Sequence, residues 1–431
     1  MSNIGGYQGR SHEFLQKHGL QVGNLVKIEA DYTYLGILMP RYEYSDDKHV
    51  VLKLKSGYNI GLEIDKIKKV EIESSSMEVK KEKILQPHTD PQLPKLLLVS
   101  TGGTIASKID YRTGGVTPAL TAADLNATVP ELAGIANIDT EVLFSEYSEN
   151  LLPNHWMKIA ERINSCLGSD YRGIIIAHGT DTMHYTAAAL SFSLAGIPIP
   201  VALVGSQRSS DRPSSDAALN LISAARFLLE CNIGGIYVVM HNSTSDDDVA
   251  CHIGTRVRKN HTSKRDAFRT VGGSPAFLVK KNSIEKNVHF NFVKRKYIPK
   301  INFDTRVALV KYYPGLDPKI IDYLIGTGCK AIIIEGTGLG HVGKVVYEHI
   351  TRARKKGIFL GMTSQCIDGR VGMTVYESGR DLLNLGVVPL EDMIPETALV
   401  KAMWTLGNSK DIAEMENLMK ENIAMEFSDY A

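Results

Sequence analysis

KLLLVSTGGTIAS (residues 95–107) and GIIIAHGTDTMHYT (173–186) are the two stretches on which the fold turns. Each opens as an almost unbroken apolar run and ends abruptly in a turn of Gly, Thr or Asp. Apolar runs without alternation are what strands covered on both faces require, as in parallel sheets. IPVALV (199–204) and GIYVVM (235–240) repeat the pattern, and the intervening segments 182–194 and 215–229 read as helices, the second with Ser214 or Ser215 as N-cap. The expectation is a doubly wound α/β domain. An open parallel sheet brings the carboxyl ends of its strands to one edge, so Thr104 and Thr180 can face the same small molecule.

Working outward, a second α/β pattern begins near Thr305. It runs through VALVKYY, a helix near 317–325 with Pro318 suited to its first turn, KAIIIEG, a basic helix near 345–356, IFLGMTS and two further helices. The stretch 272–304, which holds VKRKYIPK, reads as a long connection. Upstream, residues 20–73 hold short β-branched and aromatic runs broken by Gly, Pro, Asn and Asp, the pattern of four or five strands in a small barrel. Between the two regions lie three serines, a charge cluster from Glu78 to Lys83 and three prolines, a composition that resists packing. The expected organisation is a small β-barrel over 1–73, a linker over 74–94, an N-terminal α/β domain over 95–290 and a C-terminal α/β domain over 291–431.

With 431 residues, 43% hydrophobic and 23% charged, the chain can bury a substantial core, which excludes a disordered or fibrous class. Forty-nine Lys+Arg against 48 Asp+Glu leave a formal charge of +1, so no global field draws the molecule onto nucleic acid or an anionic membrane. Cys166, Cys231, Cys251, Cys329 and Cys366 are widely spaced, with no CxxC pair and no His at ligand spacing. That argues against a disulfide framework and a metal site, and for a reducing, cytoplasmic setting. No apolar run approaches the roughly 20 residues that span a bilayer, and the first residues lack the apolar core of an export signal. Neither export nor a membrane location is expected.

The chemistry centres on the two threonine turns. Gly102 and Gly103 allow a tight turn, close backbone approach and free N–H groups for an oxyanion. Taken alone, TGGT also reads as a plain strand-to-helix turn, and Thr-Asp at 180–181 as an ordinary helix N-cap. A phosphate-binding loop does not fit, because no GxxxxGK[ST] is present. A threonine hydroxyl is a weak nucleophile until a base takes its proton, and Asp181 with a nearby lysine would supply one.

VSTGGTIAS and AHGTDTMHYTAAALSF, in this order, resemble the paired signatures of the L-asparaginase/glutaminase superfamily, and the likeness continues through VGSQRSSDRPSSDAALNL (204–221). The resemblance implies an asparaginase-like two-domain arrangement of doubly wound parallel sheets, preceded here by the small β-barrel. Thr104 matches the family's threonine nucleophile in the first loop. Thr180 and Asp181 match the second set, completed by Lys259 in GTRVRKNHTSKRDAF, with Lys264 as the alternative. Ser148, Glu149 and Gly179 match substrate-binding positions, although Glu149 stands where many members have Gln. The tyrosine that supports the first-loop threonine in bacterial members falls near Val116, and Tyr111 is the available substitute.

The extra N-terminal region and the basic segment 251–270, with six positive charges against Asp266, make the whole chain similar to the D-subunit family of the archaeal glutamyl-tRNA(Gln) amidotransferase. That resemblance implies a glutaminase whose ammonia is used by a partner E subunit, with ATP and Mg on the partner and no cofactor in this chain. It further implies L-glutamine as substrate, contact with Glu-tRNA(Gln) mainly through the partner, and a homodimer within a heterotetramer. The basic segment would face the partner or tRNA, or be a solvated loop. The alternative is a free-standing L-asparaginase. Acyl transfer through Thr104, and direct attack by water activated at Thr180 through Lys259 and Asp181, are both open.

Overall fold

The computed structural model describes residues 5–41, 46–54, 59–74, 90–103, 107–109, 116–118, 129–208, 215–287, 292 and 295–428. Strands β1 (Leu25–Glu29), β2 (Thr33–Leu38), β3 (His49–Leu54), β4 (Asn59–Glu63) and β5 (Lys69–Ser74) form one antiparallel sheet in the order β4-β3-β2-β1-β5. Alternation along the strands turns Val26, Ile28, Leu38, Val50 and Leu52 to one face, where Leu15 of helix α1 (Gly9–Lys17) packs with Tyr7 and Leu20. The strand number matches the expected small barrel, whose closure is not confirmed: β4 and β5 end the order, and no ladder joins them among the described residues. Helix α1 packs on the apolar face.

The central sheet contains β6 (Lys95–Ser100), β9 (Asn137–Val142), β10 (Tyr171–Ala177), β11 (Pro200–Val204), β12 (Gly235–His241), β13 (Asp248–Ile253), β16 (Phe277–Lys280) and β17 (Ile284–Lys286). Its order is β17-β16-β13-β12-β11-β10-β6-β9. Strands from β9 to β12 are parallel, and β13, β16 and β17 extend the sheet antiparallel. A parallel return from β12 was not available: only residues 242–247 separate it from β13, and a crossover needs about a dozen or more. β16 and β17 also occupy the start of the stretch that reads as connection in the sequence.

Successive residues of the apolar runs feed opposite layers. Leu96, Leu98, Ile175, Ala177, Ala202 and Val204 pack on α4 (Ala217–Glu230). Leu97, Val99, Ile174, Ile176, Val201 and Leu203 pack on α2 (Pro153–Ser165) and α3 (Met183–Ser193). Two short hairpins stand outside the sheet: β7 (Ser107–Ile109) with β8 (Val116–Pro118), and β14 (Val257–Lys259) with β15 (Phe268–Thr270).

The second α/β unit is a parallel sheet of β18 (Val307–Lys311), β19 (Ala331–Gly336), β20 (Phe359–Ser364) and β21 (Val388–Pro389). Helices α5 (Lys319–Gly326), α6 (Tyr347–Lys355) and α7 (Glu377–Asn384) cover one face, and α8 (Pro395–Asn408) and α9 (Ile412–Lys420) the other. α8 also packs on α3 across the domain boundary, where the Phe192 and Trp404 rings stack with centroids 5.8 Å apart. Residues 421–428 then return along this seam, with the Ala424 carbonyl accepting from Thr255 Oγ1 at 2.7 Å.

Candidate active site

The central strand order places β9 and β10 on either side of β6, so the chain reverses direction at the β6/β10 pair, the topological switch point where open α/β sheets bind ligands. Both threonine turns leave from this pair. Thr101, buried at the end of β6, bonds the Ala177 carbonyl through its N–H (3.0 Å) and its Oγ1 (2.9 Å). Gly102 and Gly103 follow with φ of 110° and 84°, a region that favours glycine. A Cβ on Gly102 would come within 2.3 Å of the Glu146 carbonyl oxygen, and one on Gly103 within 2.6 Å of Gly179 N. The first turn is thus seated directly against the second. Thr104, the next residue, lies outside the described residues, as does Tyr111; Val116 is described only by its backbone pairing with Ile109.

The second turn is held from below by His178. Its Nδ1 donates to the Gly179 carbonyl at 2.6 Å, so in the neutral ring Nε2 accepts from Thr186 Oγ1 at 2.9 Å. Burial pushes the pKa of His178 down to about 4, which keeps the ring neutral and the tautomer fixed. Ser148 is buried beside the turn: its carbonyl accepts from Thr182 Oγ1 at 2.6 Å, and Gly179 has no room for a Cβ because Ser148 Oγ would be 2.9 Å away. Glu149, one residue on, is exposed.

Lys259 approaches from β14. Its Nζ donates to Thr180 Oγ1 at 2.8 Å and to Asp181 Oδ1 at 2.6 Å. The lysine side chain is 10% exposed while Asp181 is 67% exposed, so the carboxylate stands at the mouth with its second oxygen toward solvent. Lys264 is exposed at the hairpin tip, where its backbone N–H bonds His261. The structure therefore brings Thr180, Asp181, Lys259, Gly179 and Ser148 together beside Gly103, and leaves Lys264 and Glu149 outward. His178 and Thr186 were not singled out by sequence reasoning; the only signal was a histidine immediately after a buried strand.

The basic segment is not a free positive face. Arg256 pairs with Asp392, Arg258 with Glu396, Arg265 with Asp246 and Arg269 with Asp266, while Lys259 serves the turn. Among the described residues no set of three or more His, Cys, Asp or Glu converges as metal ligands, and no helix is long and apolar enough to cross a membrane.

Burial also pushes His184 down to about 4 and His252 down to about 3, each aided by neighbouring cations, Arg258 and Lys259 for the first and Arg269 for the second. Rings neutral in the folded chain bind protons on unfolding, so their stabilisation is complete above pH of about 6.5 and is lost as pH falls toward the folded values, on the order of 3 to 5 kcal/mol per ring. Denaturation at pH 7 and pH 5 is expected to show lower stability at pH 5. His178→Asn, which can still donate and accept but does not titrate, is expected to flatten that slope.

Fold and turns together define the class, the two-domain asparaginase architecture. Residues 95–291 match the family described as Asparaginase, N-terminal, and 306–419 match the Glutaminase/Asparaginase C-terminal domain. The thermostable L-asparaginase from Thermococcus kodakarensis superposes with a TM-score of 0.70 at 33% identity, covering 78% of this chain and 99% of that one. Residues 20–72 match the GatD N-terminal domain. The D subunit of the glutamyl-tRNA(Gln) amidotransferase of Methanopyrus kandleri is 47% identical over 433 residues, 97% of this chain and 94% of that protein. Its counterpart in Sulfolobus acidocaldarius is 46% identical over 429 residues, 98% and 95%. The chain belongs to the D-subunit family of the glutamyl-tRNA(Gln) amidotransferases.

Proposed function

We propose that this chain is the glutaminase subunit of a tRNA-dependent amidotransferase, hydrolysing L-glutamine to glutamate and ammonia in the cytoplasm. A partner E subunit takes the ammonia and, with ATP and Mg on its own side, converts Glu-tRNA(Gln) to Gln-tRNA(Gln). This chain brings no cofactor and works as a homodimer within a heterotetramer. The observation that carries the reading is Lys259 Nζ within hydrogen-bond reach of both Thr180 and Asp181, at the edge where the glycine turn of β6 is seated.

In the acyl-transfer route the Thr104 oxygen bonds to the carboxamide carbon and its proton passes to the leaving nitrogen. The C–N bond breaks, ammonia departs, and water cleaves the ester to release glutamate and restore the hydroxyl. Lys259 donates to Thr180 Oγ1, so the Thr180 O–H is free to point at substrate or water, which suits oxyanion stabilisation or the direct-water route. Asp181 uses Oδ1 on Lys259 and keeps Oδ2 for the substrate α-ammonium, an opposite-charge contact that selects an amino acid.

The test is amide hydrolysis of glutamine and asparagine by the chain alone and with the E subunit plus Glu-tRNA(Gln). Glutamine hydrolysis that rises with partner and tRNA is expected. Robust partner-independent hydrolysis with a preference for asparagine would sink the reading in favour of a free-standing L-asparaginase.

A further inference from the structure

β14 is a poorly supported place for a catalytic group. It is three residues long and pairs only with β15, outside the eight-stranded sheet. A two-stranded ladder of that length is marginal by itself. Something else must hold Lys259 at hydrogen-bond distance from Thr180.

Strand alternation shows what does. Val257 and Lys259 face the N-terminal α/β domain, the first buried under the sheet and the second on the Thr180 turn. The intervening Arg258, and Arg256 just before the strand, face the other domain. Arg256 Nη2 lies 3.0 Å from Asp392 Oδ2, and Arg258 Nε lies 3.1 Å from Glu396 Oε1. Asp392 lies in the turn that leads into α8 and Glu396 in the first turn of that helix, so Arg256 and Arg258, two residues apart, meet two carboxylates four residues apart at one helix start. The Thr255 carbonyl accepts from Thr397 Oγ1 at 2.8 Å, which ties the same helix start to the residue before the arginines.

The two pairs differ in kind. Arg256–Asp392 is buried, 5% and 6% exposed, and also binds the Val271 and Glu426 carbonyls, so it belongs to the interdomain core. Arg258–Glu396 is more accessible, at 28% and 11%, and directly precedes Lys259. We propose that Arg258 and Glu396 are positioning residues: through this ion pair the C-terminal α/β domain sets where the Lys259 ammonium stands relative to Thr180 and Asp181. The proposal rests on the reading of Lys259 as part of the glutaminase site.

The test uses the full chain with its partner subunit, comparing Arg258→Ala, Glu396→Gln, the double variant, Arg258→Lys and Lys259→Met for glutamine kcat, KM and thermal midpoint. Displacement of a reacting group by about 1 Å costs up to about 100-fold, so kcat is expected to fall about 10- to 100-fold in each single variant, with KM within about threefold. The double variant is expected to lose no more than either single one, because both remove the same contact. Arg258→Lys, which retains a cation for Glu396, is expected to recover most of kcat. Arg258→Ala leaves the buried Glu396 carboxylate unpaired and is expected to lower the midpoint. Glu396→Gln, the double variant and Arg258→Lys leave no stranded carboxylate and should lower it less, so kcat is compared well below every midpoint.

Wild-type kcat in Arg258→Ala and Glu396→Gln, alongside an inactive Lys259→Met, would overturn the proposal and leave the glutaminase reading standing. So would fully additive losses, or losses that follow the midpoint and are not recovered by Arg258→Lys. Absence of glutamine hydrolysis in the unchanged chain, or its persistence in Lys259→Met, would instead overturn the glutaminase reading.

Discussion

Lys259→Met leaves a folded protein that has lost amide hydrolysis. The substitution keeps the length and apolar stem of the side chain and removes only the ammonium that bonds Thr180 Oγ1 at 2.8 Å and Asp181 Oδ1 at 2.6 Å. Asp181 is 67% exposed, so water replaces the lost partner, and the stability cost is expected to stay within about 1 kcal/mol, as for exposed ion pairs. Proton transfer by a positioned group contributes about 10²- to 10⁴-fold, and kcat is expected to fall by that factor. Thr180→Val, which keeps the branched shape without the hydroxyl, should produce a loss of the same order, whereas Thr180→Ser should retain much of the rate. Glutamine turnover and thermal midpoint, measured on the same samples, decide the matter. Near-normal turnover in both Lys259→Met and Thr180→Val would remove these groups from the chemistry.

What the sequence reveals about this fold follows from range. Runs such as KLLLV and GIIIA announce their burial because every residue must be apolar when both faces are covered. β16 and β17 are four and three residues long, lie at the edge of the sheet and leave no comparable run. The N-terminal strands alternate correctly, yet closure of their sheet depends on whether the edges meet, which local patterning does not encode. At the site, the glycine and threonine turns are legible because they follow strands whose ends share an edge. Choosing Lys259 over Lys264 needed the family likeness, since both lie in the same basic stretch. The partners of Arg256 and Arg258 lie in another domain, so the charges read as a free basic segment although most are paired.

Lys401→Met is expected to be the most destabilising single change outside the sheet cores. The Lys401 and Glu426 side chains are both fully buried, with Nζ 2.5 Å from Oε1. Burial pushes the lysine pKa down, and Glu426 opposes that shift. Nζ also donates to the Glu421 carbonyl at 2.6 Å and the Met419 carbonyl at 3.1 Å, while the Glu426 carboxylate accepts from the N–H of Ile423 and Ala424. Removing the lysine strands a buried carboxylate, a change that costs about 3–5 kcal/mol. Lys401→Met combined with Glu426→Gln leaves no unpaired charge and should cost less than the single change, which denaturation of both variants would show. Equal losses would mean that packing of the lysine stem, and not the stranded charge, sets the cost. The pair fixes the segment 421–428, whose Ala424 and Glu426 carbonyls hold Thr255 and Arg256. Loosening that segment slackens the approach to β14. Lys401→Met should therefore lower glutamine turnover at temperatures well below its own unfolding, and the double variant should restore part of it.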